Sequence, residues 1–205
     1  MLADTIVRAA LDATPLDADD LERWTRHLYP LDAESEVRSW AGLVTGRAAH
    51  STCGTHALAC YREAGVEGRA WGPVADVLGA YGPMIARGGA VAAIETLARS
   101  HGAHCPPSTA GDVVPGSVVV VDGSAPGGSP HAIVVTETGQ ATGGYLPLVT
   151  SEGGQPGRRG STAIRQRARE LREVAPGAWV VRDRGTTGPG RRVLYWVDPA
   201  KLASR

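Results

Sequence analysis

The spacing of apolar residues changes once along this chain, and that change limits the folds open to it. In the front half, Leu2, Ile6, Val7, Ala10 and Leu11 recur at helical spacing, and Pro15 ends the pattern. The same period predicts a second helix from Asp17 through Leu21, Trp24 and Leu28, and a third over 33–44 through Val37, Trp40, Ala41 and Val44. A fourth runs from Cys53 and closes at Gly65, with Ser51 or Thr52 as its cap. A further helix is expected between Pro83 or Gly89 and Arg99. Behind it the pattern shortens to strand-length runs: Ser117–Asp122, His131–Glu137, Tyr145–Ser151, Ala178–Arg182 and Arg192–Val197. Between these, the arginine-rich 162–174 reads as helix or ordered loop. Helices first and a strand meander after predict an α+β fold, with N-terminal helices packed on a C-terminal antiparallel β-sheet. Residues 1–34 read as a helical extension and 35–205 as the main domain.

Composition removes several function classes. The longest unbroken apolar runs are five residues (57–61, 90–94 and 193–197), far short of the ~20 that span a bilayer. Residues 1–10 have no basic head followed by an apolar stretch, so no secretory signal is expected and the chain is expected in the cytoplasm as synthesised. Net charge is zero, yet residues 157–205 carry a net +8. A block of this kind either meets an anionic partner or is a solvated face that balances the acidic front. Arg158, Arg159, Arg165, Arg167, Arg169 and Arg172 lack the interleaved aromatics that stack on bases, so nucleic acid is not the expected partner.

There are three cysteines, an odd number, so at least one is left unpaired. Cys53 opens a predicted helix, where N–H groups and the helix dipole favour a thiolate. His131 opens an apolar strand directly after a Gly/Pro-rich loop, where its ring can serve a cleft. Glu152 follows the next strand, with Gln155 two glycines further on. A nucleophile, a base and a group that orients the base are the elements of nucleophilic catalysis, which makes Cys53, His131 and Glu152 the candidate catalytic residues and Gln155 the alternative third. A competing constellation is metal: Cys53, His56 and Cys60 share a helix face with His50 close by, and His101, His104 and Cys105 form a second cluster, so that a four-ligand zinc site could draw on Cys53/His56 or His56/Cys60 with His104/Cys105. His56 is a poor base, because it lies on the same helix as the thiol.

The ordered segments Thr52-Cys53-Gly54…Tyr61…Ala64-Gly65, Pro115-Gly116-Ser117-Val118, His131-Ala132-Ile133-Val134-Val135 and Glu152-Gly153-Gly154-Gln155 resemble those of the NlpC/P60 and CHAP superfamily of cell-wall cysteine hydrolases. The resemblance covers roughly residues 35–155, and because the interval 66–112 exceeds that of a minimal family member it implies a helical lid or insertion there. It departs at Thr52, where Asp or Trp is usual, at Ser117, where Asp is common, and at Arg47, where a papain-type oxyanion glutamine would stand. It implies a papain-like fold and a cofactor-free enzyme that cleaves amide bonds of peptidoglycan as an endopeptidase or amidase, with Cys53 attacking, His131 moving the proton and Glu152 or Gln155 orienting His131. It also implies delivery to a wall by phage lysis or a dedicated export route. The alternatives are a thiol protease-like toxin acting on protein or isopeptide bonds, and a non-enzymatic zinc-stabilised binding module.

Overall fold

The computed structural model describes residues 1–12, 53–66, 91–92, 94–123, 130–153 and 165–202. The helices expected from Asp17 and over 33–44 lie outside them, as do Thr52, Arg47 and Gln155.

Three helices come first: α1 (Leu2–Asp12), α2 (Cys53–Glu63) and α3 (residues 94–100). Gly65 stops α2 as expected, with a φ of 77° that lets the Val66 N–H turn back to the Tyr61 carbonyl at 3.0 Å. Seven strands follow: β1 (His104–Cys105), β2 (Val118–Val121), β3 (His131–Thr138), β4 (Tyr145–Glu152), β5 (Arg165–Ala175), β6 (Ala178–Asp183) and β7 (Arg191–Val197). Every pairing is antiparallel, in the order β1-β7-β2-β3-β4-β5-β6. A further β6–β7 pairing joins the ends of β2–β7, so these six strands close into a barrel. The α+β class and the antiparallel sheet are therefore present, and the sheet is closed where the sequence suggested only a meander.

Closure explains β2. All four valines are buried, as in a strand covered on both faces. Val118 and Val120 join the core under the helices, together with Ala132, Val134, Tyr195 and Val197 and with Ile6, Leu58, Tyr61, Ile94 and Leu97. Val119 and Val121 face the barrel interior with Ile133, Val135, Leu146, Leu148, Leu171, Trp179 and Val181. About eight strands enclose just enough room for side chains, so a six-stranded barrel is filled by its own residues rather than hollow. A shift of register between Val120 and Val121 against β7 lets both Val193 and Trp196 point inward despite their odd spacing.

The arginine-rich segment is a strand, not a helix or loop. Leu171 lies opposite Leu146 inside the barrel. On the outside, Glu170 is buried between Arg172 (3.0 Å) and Arg182. Alternation had been hidden because the inward positions nearest the barrel end are arginines rather than aliphatics. The charge block is thus partly consumed in ion pairs within the fold. Of the expected insertion, the described part is built into the core: Ile94, Leu97, Ala98 and Ala103 pack under the helices, and β1 pairs with β7. Gly116, in the segment before β2, has a φ of 88°, and a Cβ there would come 3.0 Å from the Ala3 backbone, so α1 can dock only against a glycine.

Candidate active site

The site lies at one end of the barrel and follows from strand register. His131 is the first residue of β3 and pairs with Val121; Glu152 is the last residue of β4 and pairs with Arg165. Partners in register share a face, and alternate residues return to it. His131 therefore lies on the inward face with Ile133 and Val135, and Glu152 on the same face with Thr150, Leu148 and Leu146. Cross-strand from these, Arg167 faces Thr150 and Arg169 faces Leu148.

The geometry is dense. His131 Nε2–H donates to Glu152 Oε2 at 3.1 Å, with side-chain exposures of 8% and 5%. Arg169 grips the same carboxylate with two bonds, Nε to Oε1 at 2.7 Å and Nη2 to Oε2 at 2.8 Å, and gives Nη1 to Asp183 at 2.6 Å. Thr150 Oγ1 donates to Oε1 at 2.8 Å. Paired bonds of this kind fix the plane of a carboxylate as well as its charge. Burial works against ionisation of Glu152, yet the bonds from His131 and Arg169 win and hold its carboxyl far below the usual range. Burial likewise disfavours protonated His131, but contact with the Cys53 sulfur and with Glu152 overcomes it and raises the imidazole to about 9. The Nε2 atom is committed to Glu152. Nδ1 is buried and has no hydrogen-bond partner among the described residues, and the Cys53 sulfur is the other neighbour that raises the imidazole. Cys53, partly exposed, is the first residue of α2.

The three residues singled out from the sequence are thus brought together. Gln155 lies outside the described residues. The zinc constellation is not assembled: His56 and Cys60 lie under the helices, whereas Cys105 sits with the barrel core and His104 stacks on Tyr195 at 4.7 Å. Among the described residues no group of three or more His, Cys, Asp or Glu converges as a metal site would require. None of the three cysteines is in a disulfide.

Sequence reasoning missed how the site is braced. Ser151, between Thr150 and Glu152, faces the opposite side of β4. Its hydroxyl donates to the Ala10 carbonyl at the end of α1 (3.0 Å) and accepts from His56 Nε2–H of α2 (2.9 Å). Three consecutive residues of β4 therefore hold the acid on one face and the helix bearing Cys53 on the other. Period-2 alternation was the available signal for Thr150; none pointed to Arg169, whose segment did not read as a strand.

The two histidines respond to pH with opposite signs. His56 is fully buried, and burial pushes it down to about 4 from 6.5. The stability it contributes is complete above 6.5 and is lost as pH falls through 4. His131 is raised to about 9, so its contribution is complete below 6.5 and is lost as pH rises through 9. Urea denaturation followed across pH should therefore give a stability maximum near 6.5. His131→Gln should flatten the alkaline fall and His56→Gln the acid one; a maximum unmoved by either variant would contradict this account.

Comparison of the chain with models of protein families, with curated proteins and with solved structures finds no match.

Proposed function

We propose that the protein is a papain-like cysteine hydrolase that cleaves amide bonds in peptidoglycan. The observation that carries the reading is a buried imidazole, hydrogen-bonded to a fixed carboxylate, set beside a cysteine at the first turn of a helix. Cys53 attacks the carbonyl carbon as the thiolate. Its own backbone N–H, at the helix start, supplies one donor to the developing oxyanion. His131 passes its Nδ1 proton to the leaving amine, the C–N bond breaks, and a thioester remains on Cys53. Water then adds to the thioester as His131 takes its proton, and the carboxylic acid leaves with the thiol restored. Glu152 stays ionised throughout and stabilises the imidazolium. No step calls for a cofactor.

The peptidoglycan substrate rests on the resemblance of the Cys53, Pro115-Gly116, His131 and Glu152 segments to wall hydrolases, and on their order, in which the nucleophile's helix precedes the strands of the base and acid. Among the described residues no helix is long and apolar enough to cross a membrane. The test is mass spectrometry of purified muropeptides incubated with the protein. New fragments related to their parent by hydrolysis of one amide are expected, and Cys53→Ala protein should give none. Intact muropeptides alongside cleavage of a protein or isopeptide substrate would replace the wall reading with that of a thiol protease acting on proteins.

A further inference from the structure

Arg191, which the mechanism does not use, stands at the same end of the barrel as the catalytic residues. It is the first residue of β7 and pairs with Val181, which is an interior residue, so its side chain rises from the inward face. Two residues on, Val193 pairs with Val121, which itself pairs with His131. The guanidinium is held over this end by two bonds to the Asp122 carbonyl, Nε at 2.6 Å and Nη2 closer still. That anchor uses one edge of the guanidinium and leaves Nη1 without an acceptor among the described residues. Neighbouring arginines are matched with acids: Arg169 with Glu152 and Asp183, Arg172 and Arg182 with Glu170, Arg192 with Asp122. Arg191 has no carboxylate within 4.0 Å among the described residues, although it is partly buried.

We propose that Arg191 is the recognition residue for a carboxylate carried by the substrate next to the scissile amide. This rests on the assignment of Cys53 as nucleophile and adds the substrate's charge. A partly buried cation whose only ligand among the described residues is a neutral carbonyl has capacity for an anion, and a guanidinium presents its free N–H groups in the plane a carboxylate needs. The charges around Arg191 agree with this placement. Burial lowers its proton affinity most; Cys53, Asp122 and Glu152 oppose that as negative neighbours, and Arg169 adds a like charge. Negative charge supplied by a ligand relieves the same penalty. An uncharged substrate leaves Arg191 unpaired at the mouth of the site, so selectivity for a free carboxylate over its amide follows.

The test compares alkylation of Cys53 by iodoacetate and by iodoacetamide, two reagents of similar size that both lose iodide to the thiolate and differ in charge. The ratio of the two rates removes any change in thiolate content. It should fall by about tenfold or more in Arg191→Gln, the scale of one charge-assisted hydrogen bond, and should be largely kept in Arg191→Lys. Equal ratios in wild-type and Arg191→Gln protein overturn the proposal. If Arg191→Gln fails to fold, the wild-type protein decides: N-acetylalanine should protect Cys53 from iodoacetamide and N-acetylalaninamide should not, and equal protection overturns the proposal. Both readouts are independent of turnover. A strong charge preference without muropeptide cleavage therefore keeps the carboxylate site while removing the peptidoglycan reading. Muropeptide cleavage at equal rates for carboxylate and carboxamide forms does the reverse.

Discussion

Replacing Glu152 with glutamine is expected to lower kcat by ~10- to 1000-fold and to destabilise the fold by about 3–5 kcal/mol. Both effects have one origin. The carboxylate is the common acceptor for His131 Nε2–H, for two N–H groups of Arg169 and for the Thr150 hydroxyl. An amide has one oxygen to accept with, and its NH2 would confront a donor of Arg169 or His131. His131 would then keep only its contact with the Cys53 sulfur to offset burial, and Arg169 only Asp183, so the proton affinity of His131 would fall. The His131 imidazolium would be lost at a lower pH. In the pH profile of kcat/KM, the alkaline limb set by His131 near 9 should move toward neutrality in Glu152→Gln, and urea denaturation should report the lost stability. A near-normal kcat with an unmoved limb would make Glu152 a structural carboxylate and pass the orienting role to Gln155.

Cys53→Ala should abolish turnover, by about 10⁴-fold or more, and leave the fold intact. The position is a partly exposed helix start, and alanine is the strongest helix former. Cys60→Ala and Cys105→Ala should keep most activity, because their sulfurs are buried, one under the helices and one with the barrel core. Burial also pushes the Cys105 thiol up, away from reactivity. Turnover and alkylation mass spectrometry on the three single variants check this together. An active Cys53→Ala protein, or an inactive Cys60→Ala one that remains folded, would sink the assignment.

The legible parts of this molecule were those governed by local pattern. The helical period marked α1, and a cap site followed by Gly65 marked α2. Runs such as Val118–Val121 and His131–Val135 marked strands, and each candidate residue stood at an element end, where side chains meet a cleft. Barrel closure was not legible, because it depends on a β6–β7 pairing with two registered partners, Val180 with Arg192 and Val181 with Arg191. No periodicity encodes such a contact. β5 was hidden for another reason: Arg167 and Arg169 occupy inward positions and are satisfied by Glu152 and Asp183 across neighbouring strands. A charge that is neutralised only by tertiary partners reads as solvent-facing in the sequence. The His56–Ser151–Ala10 bridge likewise joins three elements that are distant in the chain.

Closure also gives the molecule a chronology. Cys53 is synthesised early and His131 midway, but the carboxylate that holds the imidazole is itself held by Arg169, and Arg191 reaches the mouth only with the last strand of the barrel. A chain still emerging from the ribosome can display its thiol long before it can charge and orient the imidazole beside it. On the proposed reading, competence to attack an amide therefore arrives only once the strands bearing Glu152 and Arg169 have paired, well after the thiol itself has been made.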